Sequence, residues 1–433
     1  MASQKQNRSW NLGIDLGMTL AYVALVLLIS AASQLQAQTL TVLHSFTSGK
    51  DGANPVAGLT MDAAGNLYGT SQNGGAGNGT VFKLGHAGSG WTLTPLYTFG
   101  GDSDGAHPVA RVVFGPNHTL YGTTKNGGTT GDCTGGCGTV FNLQPQPNAC
   151  TTAICPWVET ILQRFTTLAF PESEVVFDSA GNLYGTAYSG GTGGVGGGNG
   201  CWPSCGAVYE LSPLNGSWVM SVLHNFSGYQ YGDDGANPVG GLTFDSAGNL
   251  YGTTFTYGDC DYGIAFQLTP SGSEHLLHDS CGEAGNPAAS MIADAAGNFY
   301  GTMLGNGSAE KGGVFTLKPS GGGWMWESVY TFPWNGGGSA GALLIDSAGN
   351  LYGTTVAGGG NPLGKCPSNG CGTIFQLTPS GSGFSYTQLY AFTGGSDGSA
   401  PYSNLVQDTD GNFYGTASTG GADGYGVIFK FTP

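Results

Sequence analysis

The sequence predicts an all-β fold, a seven-bladed β-propeller of four-stranded antiparallel blades, and three observations carry that prediction. "GNLYGT" stands at Gly65–Thr70, Gly181–Thr186, Gly248–Thr253 and Gly349–Thr354, "GNFYGT" at Gly297–Thr302 and Gly411–Thr416, and "TLYGT" at Thr119–Thr123. Repetition at this spacing signals an array or a closed ring rather than two or three unrelated domains. Glycine supplies 81 of 433 residues and charged residues only 9%, which suits short strands joined by many turns and not helices. Aromatic residues reach 11%, too many for a disordered glycine-rich linker and enough for a core.

Each strand can be assigned within the first repeat. "PVAGLTMD" (Pro55–Asp62) is a short apolar stretch and predicts strand a. "AAGN" turns the chain, with Asp62 and Asn66 suited to a tight hairpin and Gly65 to a positive φ. "LYGTS" (Leu67–Ser71) is strand b, "GTVFKL" (Gly79–Leu84) strand c and "WTLTPLYTF" (Trp91–Phe99) strand d. Four such strands in about 55 residues make one blade. In strand b, alternation of faces sends Leu67 and Tyr68 to opposite neighbouring blades, and Gly69 leaves room for a close approach. The repeated string is therefore read as scaffold.

The two ends complete each other. "GVIFKFTP" (Gly426–Pro433) is a strand c with no strand d after it, and "LTVLHSF" (Leu40–Phe46) is a strand d with nothing before it. Joining them removes the open edges of the sheet. One domain over residues 38–433 follows. Residues 1–37 read as an export signal: Lys5 and Arg8 precede the apolar run Leu20–Ile29, and "LQAQ" offers Ala37 for cleavage. An uncleaved anchor is the alternative, and the apolar run is short for it.

Without residues 1–37 the chain keeps 9 basic and 26 acidic side chains. That balance disfavours nucleic acid and anionic membrane surfaces. No membrane insertion is expected after signal removal, and a monomer is expected. In an exported chain ten cysteines predict five disulfides: Cys133–Cys137, Cys150–Cys155, Cys201–Cys205, Cys260–Cys281 and Cys366–Cys371. Zinc is the alternative for close pairs, but no two pairs stand near a histidine at finger-like spacing.

The unit "DSAGNLYGTT…GG…GTIFQL" (Asp346–Leu377) resembles the GloVer tandem repeat of secreted bacterial proteins. The likeness covers nearly the whole chain after the signal and implies an exported repeat protein, with no activity or active site to carry over. Members of that group often end in a cell-surface anchor, whereas here the last strand c ends the sequence and no C-terminal sorting segment is expected. "GNLYGT" is more loosely similar to the repeat of regulator-sensor and NHL-type propellers, which mostly bind.

Candidate function falls where the repeats differ. The a–b turns are short and uniform, while the b–c and d–a loops vary and share one face, the default place for function on a rigid scaffold. That face carries Trp202, Tyr229, Tyr231, Tyr257, Tyr262 and Trp334, which suit stacking on sugar rings or clamping a partner, or else pack locally on the loops and disulfides. Strand a lines the channel. The Leu59 position is apolar in every repeat and the Ala57 position is always small, but the position between them reads Gly58, Arg111, Glu174, Gly241, Ser290, Ala342 and Asn404. Polar groups that differ from blade to blade near a channel mouth suit a ligand site, with Arg111, Glu174 and Asn404 its candidates. An ion pair plugging the channel is the structural alternative for Arg111 and Glu174.

Other chemistry is weaker. The loops Asp51–Pro55, Asp104–Pro108, Asp234–Pro238 and Asp397–Pro401 could hold calcium, though not with EF-hand spacing, and turns ending in a strand-initiating proline explain them as well. No other cofactor is indicated. His44, His224 and His278 occupy the strand-d place of Tyr97, Tyr330 and Tyr390 and read as structural. Neither G-x-S-x-G nor H-E-x-x-H is present. Glu172 and Glu174 lie about 7 Å apart on one face of a strand, weak support for a glycosidase. The expectation is an exported binding or scaffold module, for extracellular polysaccharide or a surface protein. The alternatives are a polysaccharide-cleaving hydrolase or lyase using Glu174 with Arg111, and a structural surface protein without a small ligand.

Overall fold

The computed structural model describes residues 38–433 except 89, 129–132, 147–156, 192–204, 229–233, 282–284, 306–311, 334–336, 340, 361–362 and 382. The expected export signal, Cys150, Cys155, Cys201, Trp202, Tyr229, Tyr231 and Trp334 lie outside the described residues. Seven four-stranded antiparallel sheets follow one another along the chain, with one extra two-stranded pair, Leu168–Ala169 with Ser189–Gly190. Among the described residues there is no helix, so none is long and apolar enough to cross a membrane.

Blade 1 comprises Thr60–Met61, Leu67–Ser71, Thr80–Ala87 and Gly90–Thr98. Blade 7 takes Val406–Gln407, Phe413–Ala417 and Val427–Thr432 from the C-terminus and Thr39–Ser45 from the N-terminus. The last of these pairs with Val427–Thr432 in a register that sets Thr39 opposite Thr432, so the ring closes as the two chain ends predict. Strand a is shorter than its apolar run suggests. Only Thr60–Met61 pairs as strand; before it, Ala57 and Gly58 line the channel and the Ala57 carbonyl accepts from Thr416 of blade 7.

The string GNLYGT has a separate use for almost every residue. Asp62 Oδ1 accepts from the Ala64 and Asn66 backbone amides at 2.9 Å each, while Oδ2 accepts from Asn66 Nδ2 at 2.7 Å and the Tyr68 hydroxyl at 3.1 Å. Gly65 turns at φ 79°. The same carboxylate cage forms around Asp178, Asp245, Asp294, Asp346 and Asp408. In blade 2 Gly115 stands at the aspartate position, and Asn117, two residues on, accepts from the Tyr121 hydroxyl at 3.3 Å. A Cβ on Gly69 would stand 2.7 Å from the Phe82 ring and 2.8 Å from Leu59, so glycine lets strand c lay its aromatic ring across strand b.

The threonine that ends the string links blades. Thr70 donates to the Ala110 carbonyl at 3.0 Å, Thr123 to Ser173 at 3.0 Å, Thr186 to Gly240 at 3.2 Å, Thr302 to Gly341 at 3.2 Å and Thr354 to Ser403 at 2.9 Å. Thr416 donates to Ala57 at 2.9 Å and closes the circle. Each acceptor belongs to the always-small position of the next blade. Blade 4 breaks the series: Thr253 Oγ1 is buried with no partner among the described residues.

The core is divided rather than central. Seven apolar clusters each join two adjacent blades. Tyr68 packs with Val112, Leu120 and Phe141 of blade 2, whereas Leu67 packs with Tyr414 and Ile428 of blade 7, the opposite-face placement expected from alternation. Leu59, Val112, Val175, Leu242, Met291, Leu343 and Leu405 are all buried. Each such side chain contributes roughly 1.5–3 kcal/mol by leaving water.

Candidate functional site

The position that varies around strand a forms a polar ring inside the channel. On the side of the d–a loops lies a cavity of about 230 Å³, and on the side of the a–b turns a wider one of about 860 Å³. Arg111, Glu174, Ser290, Ala342 and Asn404 line both. The ring therefore partitions the channel below its mouth, a deeper place than the sequence suggests for these residues.

The ring is one linked arrangement. Arg111 Nη2 lies 3.7 Å from Glu174 Oε1. The same oxygen accepts from Ser290 Oγ at 2.6 Å, and Ser290 Oγ accepts from the Gly241 amide at 2.9 Å. Blades 2, 3 and 5 thus meet through one carboxylate, and blade 4 joins them through the Ser290 hydroxyl. The glycines of the ring are space for their neighbours: a Cβ on Gly58 would stand 1.5 Å from Asn404 Oδ1, and one on Gly241 2.8 Å from Ser290 Oγ. Arg111 and Glu174 do form the ion pair foreseen as the structural alternative. It is a loose one, and Arg111 Nε is buried without a partner among the described residues.

Nearer the mouth, Lys125 Nζ lies 2.8 Å from Glu172 Oε1. Blade 2 supplies both cations and blade 3 both carboxylates, so the four charges balance. Glu172 and Glu174 share the upper cavity, but each faces its own cation rather than its fellow. Tyr402 stands exposed at the rim of this cavity.

Of the aromatic candidates on the loop face, Tyr257 is half-buried and packs on the cluster of Cys205, Val208 and Phe226. Tyr262 bridges to it in parallel. Local packing accounts for this pair. Three expected disulfides form: Cys133–Cys137, Cys260–Cys281 and Cys366–Cys371. Cys205 is disulfide-bonded as well. The second of these ties the b–c loop of blade 4 to the d–a loop that follows, which confirms that the two loop types share a face.

The acidic d–a loops have a structural use. Asp51 accepts from the Thr47 amide at 2.9 Å and faces His44 Nε2 at 3.0 Å, and Asp397 accepts from the Thr393 amide at 2.8 Å and the Tyr390 hydroxyl at 3.0 Å. Asp234 repeats this with Ser227 and His224, and Asp104 with Gly100 and Tyr97. His44, Tyr97, His224 and Tyr390 thus serve one purpose, to anchor the following loop, while Tyr330 stacks on Tyr386 at 4.7 Å. His278 instead stacks on Trp326 at 4.0 Å. His107 Nδ1 lies 3.1 Å from the Gln72 carbonyl. Among the described residues one group of metal-ligand type gathers, Cys260, Asp279 and Cys281, and its two sulfurs are joined to each other.

Sequence reasoning missed one feature. Glu159 of strand d in blade 2 is half-buried in the seam with blade 1, its Oε1 shielded from water, and the Tyr97 hydroxyl lies 3.0 Å from it and 3.0 Å from Asp104. Burial, and then the charge of Asp104, push its carboxyl up to about 8 against the opposing effects of Tyr97 and Arg164. A charged residue at a strand-d place held by Leu93 or Met220 in neighbouring blades was the available signal.

Ring closure, the four-stranded blades and the repeated cage define a β-propeller repeat protein. The Gloeobacter/Verrucomicrobia repeat profile matches residues 31–200 and 198–366, and the chain belongs to that family. No curated protein sequence matches it. Among solved structures it is similar to a Thermus thermophilus protein described as a candidate oxidoreductase (glucose dehydrogenase), at 14% identity and a TM-score of 0.43, over 77% of this chain and 98% of that one.

Proposed function

We propose that this protein is an exported binding module that takes a saccharide end at the upper cavity of the channel. The observation that carries the reading is the ring itself. On a scaffold whose adjacent positions are uniformly small or uniformly apolar, one position gathers Arg111, Glu174, Ser290 and Asn404 from four blades. Balanced charge, several hydrogen-bonding groups and the exposed Tyr402 ring suit a neutral polyhydroxylated ligand. A cavity of about 230 Å³ closed below by the ring suits a chain end rather than a threaded chain. The disulfides favour an oxidising compartment outside the cytoplasm, in line with residues 1–37 as an export signal.

The test incubates the oxidised protein with bacterial and plant polysaccharides and scores retention and released reducing ends together. Retention without product, weakened by Arg111→Ala or Tyr402→Ala, is the expected result. Trp334→Ala tests whether the loop aromatic takes part. Product release abolished by Glu174→Gln would instead make the protein a hydrolase or lyase. Neither signal would favour a structural surface role.

A further inference from the structure

The channel side facing the a–b turns has a chemistry of its own. Its walls are Val113, Val176, Ile292, Leu344 and Val406, half-buried aliphatic side chains at the position after the core leucine, with Thr243 in blade 4. Phe114, Phe177 and Phe244 form an apolar rim on adjacent blades, while Ala293 and Gln407 leave blades 5 and 7 open. Such walls offer water few partners, so water held there is readily displaced. The floor is the polar ring. Among the described residues, the Arg111 guanidinium there makes only the 3.7 Å contact to Glu174 and leaves Nε buried without a partner, and Glu174 Oε1 alone carries the contacts of that carboxylate. The floor therefore presents unused donors and an unused acceptor side by side, with no net charge.

We infer that this chamber of about 860 Å³ is a second binding site, for a small amphiphile with a flat or aliphatic apolar body and a neutral head that both accepts and donates hydrogen bonds. The body lies against the aliphatic walls and the phenylalanine rim. The head reaches the ring, accepting from Arg111 and donating to Glu174. A carboxylate head meets Glu174 and an ammonium head meets Arg111, so the pair selects against either charge. The site shares the ring residues Arg111 and Glu174 with the saccharide reading but not its walls, which belong to the opposite half of the channel.

The experiment titrates the folded, oxidised protein with 2-naphthamide by calorimetry, with naphthalene-2-carboxylate as the charged comparison. One saturable site per chain is expected, with the amide bound more tightly than the carboxylate. Ile292→Asp or Leu344→Asp is expected to weaken binding about tenfold or more, because a charge in an apolar wall is costly to bury. Val113→Thr and Val176→Thr keep side-chain shape and report on the site if the aspartate variants fail to fold; they weaken binding severalfold. Tyr402→Ala, on the other side of the ring, leaves it intact while weakening saccharide retention. No saturable binding, equal affinity for amide and carboxylate, or binding indifferent to all four wall variants would each overturn the inference.

Discussion

At the scale of single residues, the aspartate of the a–b turn does the most. Burial opposes its charge, but the asparagine side chain, the asparagine and i+2 amides and the tyrosine hydroxyl outweigh it. The carboxyls of Asp62, Asp178, Asp245, Asp294, Asp346 and Asp408 are all held below the ordinary range. A folded-state value depressed in this way contributes stability that is complete above the ordinary value of 3.8 and drains as pH falls through the folded value. Six cages should therefore fail together, and acid unfolding monitored by circular dichroism should set in steeply below about pH 4. Asp346→Ala removes all four bonds of one cage and should cost about 1–3 kcal/mol in chemical denaturation. Glu159 has the opposite sign. Its carboxyl is raised from 4.5 to about 8, so its proton favours the folded state fully below 4.5, and that contribution is lost as pH rises towards 8. Denaturation midpoints should fall between about pH 5 and 8, and Glu159→Gln should flatten that slope.

At the scale of the element, strand b is both blade interior and joint. Its threonine hydroxyl hydrogen-bonds the backbone of the next blade in six seams and, among the described residues, finds no partner in the blade 4 seam. Thr354→Val strands the Ser403 carbonyl and should cost about 1–2 kcal/mol. Thr253→Val removes a buried hydroxyl that already lacks a partner and should be neutral or stabilising. Equal effects of the two substitutions in urea denaturation would count against the interblade bond as the reason for the threonine. The strand was legible in the sequence because its pattern is local: alternation assigned Leu67 and Tyr68 to opposite seams, and Gly69 to a close approach. The threonine bond was not legible, since its acceptor lies 40 residues away on another blade. Strand a was read too long because an apolar run does not reveal which of its residues pair.

At the scale of the whole molecule, closure makes the two chain ends one blade. Thr39–Ser45 covers the edge of Val427–Thr432 and packs Phe46 beside Phe82. Removing residues 38–46 should open blade 7 and destabilise the entire ring, seen as a lower and broader thermal transition. Cys260–Cys281 spans 21 residues, so Cys260→Ser with Cys281→Ser should cost about 3 kcal/mol under oxidising conditions. The same substitution under reducing conditions should change little. That disulfide joins two loops on the face of the b–c and d–a loops, and its loss should loosen the rim without breaking the channel ring.

The sequence by itself determined the blade number, the role of the repeated string, the closure of the ring and the residues that vary where a ligand could meet the channel. It could do so because repetition places every copy in the same environment, so differences among copies stand out without coordinates. The tertiary structure decided what those differences do together. Gly58 yields to Asn404, Gly241 to Ser290, and Glu174 gathers contacts from blades 2 and 5. The same ring divides the channel into a small polar cavity and a larger apolar chamber. Those relations run across the axis between residues of different blades, distant from one another along the chain, and only the curvature of the closed ring brings them within reach.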